Sequence, residues 1–278
     1  MNEYAYFNGS FSLLKSTAVP LTDRSIYFGD GCYDVLLLRD GMPYQLELHL
    51  ERLLKNCRRL KISFSMTARE ILSVIHRLSD LCCIPTGVVY IQVNRNGEKR
   101  KHEICDGYNA NILVTLSKYE IPRQRPLTAI TVPDKRHEIC DVKSLNLLYS
   151  VLSLQEANAR GCDGAIFVRN GYITEEARSN VFIYRNNELI TRPLDEYILP
   201  GITRRNVINV AQELGVRVTE RCFDEDEMLN SDEVFVCSTT KFIQRISHVN
   251  GLPCGMKNGV IYFRIYENIV NNFIHIIG

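Results

Sequence analysis

Four short segments gather residue types that can do chemistry. Lys143 lies in Cys140-Asp141-Val142-Lys143-Ser144-Leu145-Asn146, at the mouth of an expected helix that is otherwise strongly apolar. Cations are disfavoured at a helix N-terminus, where the dipole is positive. A positive local field and partial burial also lower the pKa of an amine, as a lysine that forms an imine requires. Spacing alone still favours an ordinary surface cation at this position. Ile198-Leu199-Pro200-Gly201-Ile202-Thr203-Arg204 opens directly into a helix, whose free N–H groups and Thr203 hydroxyl make a candidate phosphate cup. A plain N-cap by Thr203 explains the same residues more simply. Ser238-Thr239-Thr240 leaves an expected strand and offers three hydroxyls, to phosphate or to a turn. Glu175 follows a hairpin turn in Tyr172-Ile173-Thr174-Glu175-Glu176. It is either a surface charge or the anion that keeps a pyridine-type ring nitrogen protonated. A fifth segment, Arg100-Lys101-His102, reads on its own as a solvated basic loop.

The elements that must position these residues follow from periodicity and turn chemistry. Val35 to Arg39, Asp40-Gly41 and Pro43 to Leu46 predict a hairpin, because Asp-Gly accepts the positive φ of a tight turn. Apolar residues at 50, 53, 54, 57 and 60 predict a helix from Leu48 to Leu60, with Arg52 off the main stripe. A second helix is expected from Ala68 to Leu81, and paired strands from Val88 to Val93 and Ile112 to Leu116. Lys118 to Pro126 breaks both periodicities with two prolines and several charges, and reads as a linker. Beyond it we expect a strand around Ile130 and a long helix from about Ser144 to Ala159. Strands follow at Ala165 to Val168 and Asn180 to Tyr184, then a helix from Thr203 to Leu214. A strand from Glu233 to Cys237 and an amphipathic helix from Val260 to Ile274 complete the chain. The expectation is a mixed α/β (α+β) protein of two domains. These are a small N-terminal domain (1–117), a linker (118–126) and a larger C-terminal domain (127–278).

Composition narrows the function classes. The chain has 278 residues, 45% of them hydrophobic, and a formal net charge of +1. A sizeable core is available, and nothing in the charge balance suggests a nucleic-acid or anionic-membrane partner. No H-E-x-x-H, Walker-type or G-x-S-x-G motif occurs, and the six histidines are dispersed, so no metal site is expected. Ten cysteines without C-x-x-C spacing read as reduced small hydrophobes of a cytoplasmic protein. Met1-Asn2-Glu3-Tyr4 starts no secretory pattern, and no uncharged apolar run approaches the roughly 18 residues of a membrane span.

In this order the segments resemble the class IV aminotransferases of fold type IV, and among them the D-amino acid aminotransferases. The resemblance begins at Leu21-Thr22-Asp23-Arg24 with Phe28-Gly29-Asp30-Gly31-Cys32-Tyr33 and ends near Val249-Asn250-Gly251. Its most specific parts are Lys143-Ser144-Leu145-Asn146, Thr174-Glu175 with Ser179-Asn180-Val181-Phe182, and Gly201-Ile202-Thr203-Arg204. It implies a two-domain enzyme with pyridoxal 5'-phosphate in the cleft, held by a Schiff base on Lys143, which then shuttles the substrate proton. Glu175 would pair with the ring nitrogen, with Ser179 and Asn180 beside it, and Leu199 would lie against the ring. Arg52, Ile202, Thr203, Ser238 and Thr239 would hold the phosphate. Tyr33, Arg100 and His102 would trap the substrate α-carboxylate, the last two reaching across a homodimer interface.

The implied reaction is ping-pong transfer of an amino group from a D-amino acid, D-alanine foremost, to a 2-oxo acid such as 2-oxoglutarate. A branched-chain L-amino acid aminotransferase or an aminodeoxychorismate lyase would share the scaffold. A cofactor-binding protein with little turnover is the remaining alternative. Two departures bear on substrate range: Asp34 stands where Glu is common, and Glu176-Ala177-Arg178 replaces a segment commonly built of Gly and Ser.

Overall fold

The computed structural model describes residues 3–104 and 109–276, which form two compact units. Met1, Asn2 and Cys105 lie outside the described residues.

The first unit runs to Glu120 and takes in Val142–Asn146. It opens with a hairpin of β1 (Tyr4–Phe7) and β2 (Ser10–Leu13), followed by the short helix α1 (Arg24–Phe28). Strand β3 (Gly31–Arg39) turns through Asp40 (φ 50°) and Gly41 (φ 80°) into β4 (Met42–Pro43), the left-handed pair that Asp-Gly predicts. Helices α2 (Leu46–Arg59) and α3 (Ala68–Cys82) come next, then β5 (Gly87–Arg95) and β6 (Ala110–Lys118). The strands form one antiparallel sheet in the order β2-β1-β6-β5-β3-β4. Leu46, Leu50, Leu53 and Cys57 of α2 recur at helical spacing and are buried with Ile71, Ile75 and Leu78 of α3 and Leu36, Val89 and Val114 of the sheet. Each such side chain contributes about 1.5–3 kcal/mol when fully buried. A capping box between Thr67 and Glu70 fixes the start of α3.

The second unit holds Ile121–Asp141 and Leu147–His275. Its elements are β7 (Leu127–Pro133), α4 (Leu148–Ala159), β8 (Gly164–Arg169), β9 (Tyr172–Glu176), β10 (Ser179–Arg185) and β11 (Glu188–Thr191). After them come α5 (Ile202–Glu213), β12 (Arg217–Glu220), α6 (Glu225–Leu229), β13 (Glu233–Ser238), β14 (Phe242–Val249), β15 (Leu252–Pro253) and α7 (Gly259–Ile274). The main strand order is β12-β11-β10-β13-β14-β7-β8-β9, and β9 also pairs with β10. That pairing closes β10-β13-β14-β7-β8-β9 into a ring of six. β10 is buried at all but its last position, so its sequence shows a continuous apolar run rather than alternation. No helix among the described residues is long and apolar enough to cross a membrane.

The structure corrects the expected start of the long helix. Residues 144–147 are not helical, and α4 begins at Leu148. Ser144 instead bridges Cys32 of β3, Tyr33 N–H donates to the Lys143 carbonyl (3.0 Å), and Leu145 N–H donates to the Gly31 carbonyl (3.1 Å). Backbone groups spent on β3 are unavailable to a helix. For the same reason Val142–Asn146, expected in the C-terminal domain, clusters with the first unit.

Candidate active site

Lys143 owes its position to β3 rather than to a helix end, so the dipole argument for it does not hold. Its backbone is tied to Tyr33, and its Nζ lies 4.3 Å from the centroid of the Tyr33 ring. Both side chains are half-buried. Tyr33 in turn stacks on Tyr90, with ring centroids 5.4 Å apart, which steadies the ring. The next residue of β3, Asp34, is fully buried and serves α2. Its two oxygens accept from Nε and Nη2 of Arg52, each at 2.8 Å, and one of them lies 2.7 Å from Nδ1 of His49. Burial alone would raise the Asp34 carboxyl, but Arg52 and His49 outweigh it and hold the group well below the usual carboxylate range. Burial pushes the His49 imidazole down, and the fields of Arg52 and Lys143 add to that. Asp34, one of the departures, thus retains the role of a carboxylate that orients Arg52.

Arg100 and His102 are exposed and lie against Phe28, the Arg100 guanidinium 5.4 Å from that ring and the His102 ring at 5.2 Å. The loop that carries them is not simply solvated. Buried Arg24 donates to the carbonyls of Lys101 (2.5 Å), His102 (3.3 Å) and Glu103 (3.4 Å), while its Nε pairs with Asp30 at 2.7 Å. The guanidinium fork is suited to gathering several acceptors in one plane.

In the second unit, Glu175 is buried near the end of β9. Its Oε1 accepts from Nη1 of Arg136 and from the Leu199 N–H, both at 3.0 Å. Burial raises the Glu175 carboxyl, opposed by Arg136 and the Leu199 amide. A protonated ring nitrogen beside it would add a second cation and favour the carboxylate further. Arg136 is itself held by Asp134 and by the Tyr197 carbonyl (3.0 Å), with its guanidinium 4.4 Å from the Phe167 ring. Burial would raise Asp134, but Arg136 and Thr174 bring it down to about 2.

Leu199 joins Glu175 to the expected phosphate cup, because its carbonyl accepts from the Asn180 amide at 2.9 Å. Asn180 packs so tightly on Gly201 that a Cβ there would lie 2.2 Å from Asn180 Oδ1. Gly201 is the N-cap of α5 and makes no side-chain cap. Thr203 is therefore inside the helix and not its cap, and the first-turn amides at Ile202 and Thr203 meet no capping side chain. At the same end of the ring, Asn180 pairs with Cys237, which brings Ser179 beside Ser238. Ser238 and Thr239 are half-buried, and the buried Ser179 Oγ has no hydrogen-bond partner. An orphaned hydroxyl beside an uncapped helix start is the arrangement a phosphate would complete.

The structure thus ties Lys143 and Tyr33 together and joins Arg52 to them through Asp34. Separately, it groups Glu175, Leu199, Asn180, Ile202 and Thr203, with Ser179, Ser238 and Thr239 beside them. Arg100 and His102 stand apart on Phe28. Sequence reading missed Arg136, Asp134, His49 and Arg24. The only local signals were Asp-x-Arg after β7 and the placement of His49 one turn before Arg52.

The comparisons decide the family. The amino-transferase class IV model matches residues 31–249. The chain belongs to the class IV aminotransferases. It is 36% identical over 256 residues to the D-alanine aminotransferase of Bacillus licheniformis, covering 90% of this chain and 89% of that one. It is 33% identical to the D-alanine aminotransferase of Listeria monocytogenes, covering 95% and 94%. Among solved structures, the branched-chain amino acid aminotransferase of Escherichia coli superposes with a TM-score of 0.90 at 21% identity over 98% of this chain and 95% of that one. A putative 4-amino-4-deoxychorismate lyase of Legionella pneumophila gives 0.85 at 22%, over 93% and 97%. These neighbours establish the two-domain fold type IV architecture of this class IV aminotransferase, a pyridoxal-phosphate-dependent enzyme. The orphaned Ser179 hydroxyl, the uncapped start of α5 and the buried Glu175 fit that cofactor.

Proposed function

We propose that this class IV aminotransferase is a cytoplasmic homodimer that moves an amino group from a D-amino acid, D-alanine foremost, to 2-oxoglutarate. The observation that carries the stereochemical choice is the grip of Arg24 on the carbonyls of residues 101–103, which makes Arg100-Lys101-His102 a supported element rather than a loose basic loop. The names of the curated relatives agree with it. Exposed apolar residues on α4, among them Leu148, Val151 and Leu152, supply surface for a homodimer.

Bound pyridoxal phosphate supplies the electron sink for the pair released from the substrate Cα–H bond. Lys143 would hold the cofactor through its amine and, once released, would serve as the base that carries the proton taken from the substrate Cα. Glu175 keeps charge opposite the ring nitrogen, and Arg136 and the Leu199 amide fix its Oε1. Arg52, the α5 amides at Ile202 and Thr203, and the hydroxyls of Ser179, Ser238 and Thr239 hold the phosphate, with Asn180 setting the Leu199 carbonyl. Tyr33, Arg100 and His102 take the α-carboxylate by charge-assisted hydrogen bonds, the last two donated by the partner protomer.

The test is an absorbance spectrum of cofactor-loaded protein before and after D-alanine, L-alanine and L-leucine, each alone. A shift of the cofactor band with D-alanine only supports the proposal. A shift with L-leucine only refutes the D-specific reading.

A further inference from the structure

The segment Glu176-Ala177-Arg178 has no part in the chemistry above. It forms the turn between β9 and β10, where Glu176 pairs with Ser179. The neighbouring turn, between β13 and β14, carries Thr239, Thr240 and Lys241 and is closed by the pairing of Ser238 with Phe242. Because Asn180 pairs with Cys237, the two turns stand side by side at one end of the ring. They also share charge. Glu176 is 2% exposed, and its Oε2 lies 3.6 Å from the Lys241 ammonium and accepts the Arg178 N–H at 3.1 Å. Burial pushes the Lys241 amine below its usual range; Glu176 opposes this and the Arg178 field adds to it. Glu176 thus takes the Lys241 ammonium and the Arg178 backbone N–H, while the Arg178 side chain extends from the turn into solvent and leaves this end of the ring with one more cation than anion. The surplus positive charge stands next to Ser179 and Ser238.

We propose that Arg178, with Lys241 beside it, binds the distal carboxylate of a dicarboxylic substrate such as 2-oxoglutarate or D-glutamate. This rests on the transaminase reading and names the substrate class it favours. A ping-pong enzyme must accept donor and acceptor in one place, so a site for D-alanine must also take a side chain that ends in a carboxylate. A buried arginine would penalise the methyl side chain by staying desolvated and unpaired. A solvated one remains in water when alanine is bound and swings onto a carboxylate when one is offered. Glu176 fixes Lys241 on one turn while Arg178 stands on the other, so the pair presents donors from two adjacent turns.

Two readouts test the assignment on cofactor-loaded enzyme. The first is calorimetric binding of glutarate and of butanoate, which do not react. The second is single-turnover reaction of the aminated enzyme with 2-oxoglutarate and with pyruvate. Arg178→Ala is expected to weaken glutarate and 2-oxoglutarate about ten-fold, the order of one charge-assisted contact, and butanoate and pyruvate less than two-fold. Arg178→Lys, which keeps the charge, is expected to retain most of the preference. Equal weakening of all four ligands, as a cofactor-phosphate contact would give, overturns the proposal, and so does no change in any. If the wild type turns over no D-amino acid, the transaminase reading fails while the glutarate and butanoate comparison still decides the carboxylate site.

Discussion

Asp34 on β3 receives both Nε and Nη2 of Arg52 on α2, at 2.8 Å each, inside the core of the first unit. The pair aims a phosphate-binding candidate by means of a neighbour that never touches phosphate. Asp34→Asn keeps the shape and removes the anion, leaving Arg52 buried without its counter-charge. Loss of one partner of a buried pair costs about 3–5 kcal/mol. Urea unfolding should register that loss, and a cofactor titration of the folded variant should show affinity lowered roughly ten-fold or more, as for other orienting partners of a ligand. Unchanged affinity in a folded variant would show that Arg52 does not depend on Asp34 for its aim.

Glu175 gives a prediction in pH. Its carboxyl is raised in the folded apo-protein, chiefly by burial. A raised group stabilises the fold fully below its unfolded value of about 4.3, and that contribution is lost as pH rises through the folded value. Glu175→Gln removes the titration while keeping an acceptor for Arg136 and Leu199. Apo-protein melts between pH 5 and 8 should therefore show the wild type losing more stability than the variant. Turnover should fall about 100-fold or more, because the ring nitrogen loses its counter-anion.

Lys143→Ala should abolish covalent attachment of the cofactor and multiple turnover. The fold should change little, since the tie to β3 runs through the Lys143 carbonyl and not through its side chain. Reduction with borohydride followed by mass measurement checks the attachment. A variant that still carries the cofactor covalently would assign the role to another lysine.

Arg100→Ala should raise KM for the amino acid roughly ten-fold or more and leave cofactor affinity nearly intact, because the lost contact is to carboxylate. Steady-state kinetics and a cofactor titration separate the two effects. Loss of cofactor with an unchanged KM would give the loop a different task.

Much of the fold was legible because its signals are local. Asp40-Gly41 announces its turn, and the stripes of α2, α3, α5 and α7 announce their helices. Helix α4 starts later than its sequence suggests because the Lys143 carbonyl and the Leu145 N–H are spent on Tyr33 and Gly31, more than a hundred positions earlier. Lys143 stands on no helix end, and what distinguishes it is the Tyr33 ring against its ammonium, a contact that no local pattern marks. Asp34 with Arg52, and Arg136 with Glu175, are contacts between distant positions, and neither periodicity nor composition encodes them. Arg24 was visible only as a letter within a resembling motif, while its grip on residues 101–103 depends on three carbonyls that no sequence pattern marks.

Because β9 also pairs with β10, six strands of the second unit form a circuit with no free edge. An open sheet absorbs the slip of one strand at its margin, whereas a closed one must pass the error around until it returns. Glu175, Ser179 and Ser238 sit on three consecutive members of that circuit, so their spacing is a property of the whole loop of strands. The two adjoining turns, which carry Arg178 and Lys241, lie outside that circuit and can change side chains without disturbing it, while a one-residue insertion within any of the six strands would shift all three functional positions together.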